Sequence, residues 1–205
     1  YIDRSGSLYD TECLSLFGTN SFNLVWEKIC AEIMDNQLDV PLGILKLPVP
    51  LKEDYNRRQK LIELIEKPLW TITGKCAKDT LIPDLVSICK VNDQHQFIIF
   101  DAKYYNAHLE KGIVPTGQPG IESITKQYLY QLAYQQFIED HNFSSVKNCF
   151  LLPTENNEIE DKGEVRMEML SNLGLQDIKI RLIPATMAYD LYLSGSKMDM
   201  ERLDL

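Results

Sequence analysis

Apolar positions recur along the chain with the periods of helices and strands. Three segments follow the helical period of three and four residues, over residues 22–33, 53–66 and 121–140. A final helix is predicted over residues 185–192, directly after Pro184. The first helix has the apolar stripe Phe22, Val25, Trp26, Ile29, Cys30 and Ile33.

Continuous or alternating apolar runs predict the strands. They cover residues 69–73, 81–88, 97–100, 146–152, 164–170 and 178–183, and a polar turn over residues 90–95 joins two of them as a hairpin. Residues 37–51, rich in proline, are expected to form loops, residues 1–20 an entry segment with a turn at 18–20, and the tail after Ser194 a frayed end. The order helix, three strands, helix, strand predicts an α/β fold with a central mixed sheet flanked by helices, extended by C-terminal strands and a helix.

Composition narrows the class of protein. A chain of 205 residues with 44% hydrophobic residues is expected to form a single domain, and it begins at Tyr1, so we expect it to be part of a longer chain. It has no apolar run of membrane-spanning length. Five scattered cysteines without a Cys-x-x-Cys pair, and three isolated histidines, indicate a reduced, cytoplasmic protein without structural zinc. A net charge of −9 argues against binding nucleic acid through the overall field, so DNA contact requires local basic patches, a metal or a partner.

Two acids and a lysine are the candidate chemistry. Asp84 follows Pro83, and Asp101 and Lys103 end the apolar run of residues 97–100. Residues two apart on a strand point to the same side, so Asp101 and Lys103 share a site, and pairing of the two strands brings Asp84 to it. Converging carboxylates favour a divalent cation, and Mg²⁺ with open positions suits a phosphodiester substrate. The alternative is an ordinary ion pair at a strand end.

Further candidates each have a structural alternative. Glu27 lies beside the apolar stripe of the first helix. It is either an accessory acid of the site or an ordinary surface glutamate. Arg57 and Arg58 either contact a phosphate backbone or form a solvated helix face. The loop over residues 106–120 either closes over substrate or crosses the surface passively.

One face of the helix over residues 121–140 has amide and phenol side chains. Its members lie three and four residues apart: Gln127, Tyr130, Gln131 and Tyr134. They either face the carboxylates, where they position water or a nucleic-acid strand, or pack half-buried between core and solvent.

Four motifs in this order resemble a known family. They are Phe22–Glu27, Leu81–Leu85, Phe100–Tyr105, and Pro119–Ile121 continuing to Lys126–Tyr134. They resemble the LlaJI restriction endonuclease family, within the PD-(D/E)xK nuclease superfamily. This family is similar to the McrC nucleases, which act with an AAA+ GTPase of the McrB type. The resemblance covers about residues 17–152, the implied nuclease core, and leaves residues 153–205 as a C-terminal extension.

The resemblance implies a metal-dependent endonuclease that cleaves double-stranded DNA in a bacterial restriction system. Asp84, Asp101 and the backbone carbonyl of Ala102 would hold Mg²⁺, for which Mn²⁺ substitutes, and Lys103 would orient the attacking water. Catalytic roles are implied for Glu27, Gln131 and Tyr134 as well. DNA contacts are expected from Arg57, Arg58, Lys126 and Gln127. Asp101 departs from the glutamate that many members have, but aspartate is also a hard oxygen ligand.

The implied partners are double-stranded DNA and a McrB-like AAA+ GTPase, with dimerisation for double-strand cleavage and no membrane. Two other functions remain open from the sequence. The domain could be a docking module that stimulates an NTPase partner and keeps a vestigial nuclease site. It could also be a repair nuclease of the same fold acting on DNA ends, which the motif of residues 126–134 disfavours.

Overall fold

A computed structural model describes residues 21–205, so the predicted entry segment and its turn at residues 18–20 lie outside the described part. The helices are α1 (Phe22–Ile33), α2 (Ile121–Asp140) and α3 (Ala185–Ser194). The strands are β1 (Leu69–Trp70), β2 (Lys75–Cys76), β3 (Leu85–Val91), β4 (Gln94–Ala102), β5 (Ser145–Thr154), β6 (Glu160–Val165) and β7 (Ile178–Pro184). No helix within residues 21–205 has the length and apolarity needed to cross a bilayer.

Five strands form one mixed sheet in the order β3-β4-β5-β7-β6. The central strands β4, β5 and β7 are parallel, and the edge strands β3 and β6 are antiparallel to their neighbours. The predicted mixed sheet flanked by helices is thereby confirmed. Because the parallel strands end at one edge, their carboxyl ends lie together, which is where open α/β sheets commonly place binding sites.

The predicted hairpin between β3 and β4 is confirmed. Asn92 and Asp93 connect the strands, and both adopt positive φ angles, of 48° and 64°. A two-residue turn of this type matches the twist of the strands and fixes their register. Leu85 pairs with Phe100, so Asp84 lies opposite Asp101 at the end of the hairpin.

The two faces of β4 bury against different helices. Ile98 and Phe100 pack in the cluster that contains Trp26 of α1, whereas Phe97 and Ile99 pack in the cluster that contains Tyr134 of α2. This alternation is the period of two expected of a strand buried on both faces. It places Asp101 on the α2 face of the sheet.

The predicted helix over residues 53–66 is wrong. Only residues Leu61–Leu64 are helical, in a single 3₁₀ turn. The backbone before that turn bonds to another segment, since Leu42 and Gly43 donate to the carbonyls of Gln59 and Arg57 at 2.8 and 3.0 Å. The apolar residues of 61–65 therefore reach the core from a single 3₁₀ turn. Their spacing in the sequence is the same as that of a longer helix, which explains the wrong prediction.

Two strand predictions also need correction. The strand predicted over residues 69–73 is not part of the central sheet, because β1 pairs with β2 as a separate hairpin. The αβββαβ order of the core is therefore wrong in its first strand. The edge strand predicted over residues 164–170 begins earlier, as β6 at Glu160, and gives way to a 3₁₀ helix over Glu168–Leu173.

The tail after Ser194 is packed, contrary to the prediction that it frays. Met198 and Leu203 are buried in the cluster around α1. The buried Arg181 of β7 donates hydrogen bonds to the carbonyls of Leu203 and Asp204. A buried guanidinium needs acceptors, and the tail supplies two of them. β7 and the tail thus complete the same core as α1 and β4.

Candidate active site at the end of the β3–β4 hairpin

Asp84, Asp101 and Lys103 converge at the carboxyl end of β4. The ammonium nitrogen of Lys103 lies 2.8 Å from Oδ2 of Asp101 and 3.6 Å from Oδ2 of Asp84. The Asp101 residue is only 4% exposed. Of the predicted site residues, the structure brings these three together directly.

Backbone bonds hold this cluster in place. Ala102 N–H donates to Oδ2 of Asp84 at 2.9 Å, which joins the start of β3 to the end of β4. Lys103 N–H and the indole N–H of Trp26 both donate to the carbonyl of Leu151, at 2.9 and 3.0 Å. The end of β4 is thus tied to β5 and to α1, which leaves the lysine backbone little freedom.

The backbone carbonyl of Ala102 faces the same side as Asp84. In a strand, the N–H and C=O of one residue point in the same direction. The Ala102 N–H bonds to Asp84, so the carbonyl of this residue also points toward the Asp84 side. The two carboxylates and, on the β3 side of the strand, the Ala102 carbonyl are therefore the oxygen ligands that this strand end offers.

The charges of the cluster are not balanced. Burial, and then the carboxylate of Asp84, raise the pKa of Asp101 to about 7, although Lys103 opposes the rise. Burial lowers the pKa of Lys103, but Asp101 and then Asp84 outweigh it, so its pKa lies above the ordinary value. Lys103 therefore keeps its proton near neutral pH and acts as a hydrogen-bond donor, and the buried carboxyl of Asp101 lacks part of the positive charge that would keep it ionised.

The carboxylate of Glu27 on α1 interacts electrostatically with this cluster. Partial burial and the carboxylate of Asp84 raise its pKa, while Lys103 and a hydrogen bond from Asn23 lower it. A glutamate that interacts with both Asp84 and Lys103 is more than an isolated surface residue. Its predicted role as an accessory acid stays a prediction.

The polar face of α2 is buried against the sheet. Gln127 donates to the carbonyl of Ile99 at 2.7 Å. Gln131 accepts from the side-chain amide of Asn148 at 2.7 Å and from the backbone of Gln176 at 3.0 Å. Tyr134 is fully buried, with its ring 5.2 Å from that of Phe97. These contacts are those of packing residues, and the catalytic and DNA-binding roles expected on this face stay predictions.

The other expected DNA-contacting residues are exposed and lie apart from the carboxylates in the chain. Lys126 pairs with Glu122 at 2.6 Å on the outside of α2. Arg57 lies on the loop before the 3₁₀ turn and reaches the carbonyl of Gly43 at 3.3 Å, and Arg58 is exposed beside it. Their contact with DNA stays a prediction.

Two side chains hold the site in position through partners that the sequence does not reveal. Tyr130 donates its hydroxyl to the carbonyl of Ile82 at 2.9 Å, which holds the chain two residues before Asp84. Asp101 and Asp84 also raise the pKa of Tyr130, after burial. Trp26 anchors α1 to the carbonyl of Leu151, next to Glu27. The clue for Tyr130 is its place on the polar face of α2, which does not reveal its acceptor.

The loop after Lys103 borders a cavity of about 590 Å³, lined in part by Tyr104, Tyr105 and Tyr189. His108 and Thr116 pair within the loop, their backbones bonding at 2.9 and 3.3 Å. Gly117 has φ of 65° and lies so close to the Asn106 carbonyl that an added Cβ would be 2.2 Å from its oxygen. The loop therefore has a defined shape, and its closure over substrate stays a prediction.

The donor set suits a hard divalent cation. Within residues 21–205, no three His, Cys, Asp or Glu side chains are grouped so as to hold a metal by themselves. Asp84, Asp101 and the Ala102 carbonyl nevertheless supply oxygen ligands, and Mg²⁺ is usually bound by one or two carboxylates with its other positions left for water and phosphate. The raised pKa of Asp101 indicates a site that lacks positive charge, so the residues fit Mg²⁺.

Comparison with known proteins places this site in a family. The model of the LlaJI restriction endonuclease family matches residues 1–189. The "Type II restriction enzyme BsuMI component YdjA" of Bacillus subtilis (strain 168) is 28% identical over 209 residues, which cover 98% of this chain and 39% of the relative. The chain thus spans about two fifths of the length of this relative. No solved structure matches the chain. The chain belongs to the LlaJI restriction endonuclease family.

Proposed function

We propose that the chain is the nuclease domain of a restriction system and that it hydrolyses phosphodiester bonds of double-stranded DNA with Mg²⁺. The observation that carries this proposal is the convergence of Asp84, Asp101 and Lys103 at one strand end, beside the Ala102 carbonyl. We further assign the site to the PD-(D/E)xK type, whose order of acids and lysine it follows. Membership in a family of restriction endonucleases supports the reaction class.

The residues divide the chemistry between them. Asp84, Asp101 and the Ala102 carbonyl would hold Mg²⁺, which supplies neutralisation of phosphate charge and acidification of water. Lys103, held protonated by the two acids, donates a hydrogen bond that aims the attacking water or stabilises the charge developing on the phosphate. Trp26 and Leu151 keep the lysine backbone fixed, so this donor needs little reorganisation during the reaction.

Calorimetry and plasmid cleavage test this proposal. Mg²⁺ and Mn²⁺ are titrated into the wild type and Asp84→Ala, with Asp39→Ala as a control for an exposed aspartate in an ion pair. We expect binding in the wild type and control and none in Asp84→Ala. Lys103→Ala should bind metal yet cut plasmid DNA at least a hundredfold more slowly, on the order of the loss of one transition-state donor. A Lys103→Ala protein that cuts at the wild-type rate would refute the role of the lysine.

We also propose that the domain acts with a McrB-like AAA+ GTPase subunit in the bacterial cytoplasm and dimerises to cut both strands. The relative is named as a component of a restriction enzyme, which supports a multi-subunit system. The test is plasmid cleavage with and without the GTPase and GTP. Cleavage of both strands only with the partner supports the assembly. A wild type that binds no metal and cuts under neither condition would favour a docking module with a vestigial site.

A further inference from the structure

The β1–β2 hairpin exposes large apolar side chains at the surface. Residues 66–76 are all exposed, and Ile72 and Trp70 have 97% and 64% of their surface accessible. Leu69 beside them is 59% exposed. Single exposed apolar residues are ordinary, but a tryptophan, an isoleucine and a leucine together on one exposed hairpin indicate an interaction surface.

The hairpin has a defined shape. At its tip, the N–H groups of Thr73 and Gly74 both donate to the carbonyl of Trp70, at 3.0 and 2.9 Å. At its base, Ala77 N–H donates to the Pro68 carbonyl at 2.7 Å. The side chains of the tip are therefore presented on a fixed turn, which lowers the entropy cost of using them for binding.

The charge of the hairpin identifies its kind of partner. Residues 67–78 contain Lys67, Lys75 and Lys78, and the two acids of the hairpin, Glu66 and Asp79, lie at its base, in a chain of net charge −9. All three lysines are exposed and form no ion pair within residues 21–205, and the ammonium of Lys67 donates to the Lys78 carbonyl at 2.8 Å. Lysines beside apolar side chains are what proteins use to bind phosphates while inserting apolar groups at DNA bases. Nucleic acid is therefore a better match for this surface than a generic protein face.

The hairpin is also close to the acids along the chain. Thr80 donates to the Glu66 carbonyl at 2.7 Å and closes its base, four residues before Asp84. Four residues reach at most about 14 Å, and the eight residues from Thr80 to Ile72 reach about 27 Å. The tip therefore lies within roughly 40 Å of Asp84, which is little more than one turn of B-DNA.

We propose that the β1–β2 hairpin is a DNA-binding wedge, in which Ile72 and Trp70 contact bases in a groove and the three lysines bind the flanking phosphates. The inference rests on the proposed function, because it takes duplex DNA as the substrate of the neighbouring site. It adds a second DNA contact that holds the duplex near the scissile phosphate.

Tryptophan fluorescence tests the contact directly. The chain has two tryptophans, and Trp26 is fully buried whereas Trp70 is exposed. Quenching by acrylamide therefore reports mainly on Trp70. We expect a duplex of about 30 base pairs, roughly three turns, to protect Trp70 in EDTA, where cleavage is suppressed. Trp70 that stays equally accessible at saturating DNA would overturn the proposal.

Matched variants separate the effect of the hairpin lysines on DNA binding from the effect of removing any three surface lysines. The hairpin variant is Ile72→Ser with all three lysines changed to Gln, and the control changes three exposed, ion-paired lysines to Gln: Lys28, Lys90 and Lys197. We expect the hairpin variant to bind duplex DNA roughly 5- to 50-fold more weakly, and its log–log salt slope to be smaller by up to about 2.7. The control should lose less affinity.

The outcomes distinguish this proposal from the nuclease assignment. Mg²⁺ binding should be unchanged in the hairpin variant, because its residues are not in the metal site. A hairpin variant with wild-type DNA affinity and cleavage overturns the wedge and leaves the nuclease intact. Unchanged DNA affinity with loss of GTPase-stimulated cleavage overturns it in favour of a protein-binding hairpin. A wild type that binds no DNA overturns both proposals.

Discussion

Replacing Asp101 by asparagine should stabilise the metal-free protein. Burial and Asp84 raise the pKa of Asp101 from its ordinary 3.8 to about 7, so the fold favours the neutral carboxyl. Each pKa unit corresponds to about 1.4 kcal/mol, which gives an upper limit of about 4 kcal/mol above pH 8. Asparagine also loses the attraction of Lys103, so we expect a gain of about 1–3 kcal/mol, or roughly 3–10 °C in Tm.

The sign of the pH dependence is a sharper test than the size of the effect. Between about pH 4 and 7 the folded protein keeps a proton on Asp101 that the unfolded chain has lost. The free energy of unfolding contributed by this group is therefore full below pH 4 and is lost as pH rises through 7. The advantage of Asp101→Asn should be largest near pH 8 and shrink toward pH 5.

The assay is thermal unfolding in EDTA, followed by circular dichroism, from about pH 5 to pH 8. Asp39→Asn is the control, since this exposed aspartate pairs with Lys60 and should change Tm by about 2 °C or less. Added Mg²⁺ should raise the Tm of the wild type and not that of Asp101→Asn. The inference that burial and Asp84 raise the pKa of Asp101 would be refuted by an Asp101→Asn protein less stable than the wild type near pH 8. It would also be refuted by a difference in Tm between the two proteins that does not change with pH.

Three further predictions follow from other contacts. Because a ligand must be deprotonated, Mg²⁺ affinity should fall up to tenfold per pH unit below about 7, as the raised pKa of Asp101 requires, and calorimetry in buffers of different ionisation enthalpy should detect the released proton. Gly117→Ala should lower the free energy of unfolding by about 2–3 kcal/mol, because Gly117 has positive φ and faces the Asn106 carbonyl, whereas Gly120→Ala, at the N-cap of α2 with open space around it, should cost about 1 kcal/mol or less in urea unfolding. Arg181→Met should cost about 1–3 kcal/mol by leaving the Leu203 carbonyl without its donor, and hydrogen exchange should then show opening after residue 194.

The acids and lysine of the site were predictable because strand geometry is local. A spacing of two residues determines that Asp101 and Lys103 share a side, and a polar turn of the right length returns the chain so that Asp84 meets them. α1, α2, β5 and β7 were predictable for the same reason, since each is one uninterrupted periodic segment. The resemblance then added the family, which matches residues 1–189.

What the sequence does not reveal depends on partners distant in sequence. The amides and phenols of α2 are buried because Ile99 and Asn148 satisfy Gln127 and Gln131, whereas Leu132 on the same helix is 37% exposed. Polarity along a helix does not show which side chains will find such partners. The packed tail is similar, because Arg181 in β7 donates to it from a part of the chain about twenty residues away.

The length of the turn at Asn92 and Asp93 determines which residues of β3 and β4 lie opposite each other at the far end of the hairpin. Seven residue pairs separate this turn from Asp84. If an inserted residue shifted the register instead of enlarging the turn, it would slide β3 along β4 by about 3.4 Å and reverse the faces of its side chains. Asp84 would then leave Lys103 without any change in the site's own residues. In this sense the length of a distant, exposed turn is as strict a requirement for the proposed DNA cleavage as the identity of either aspartate.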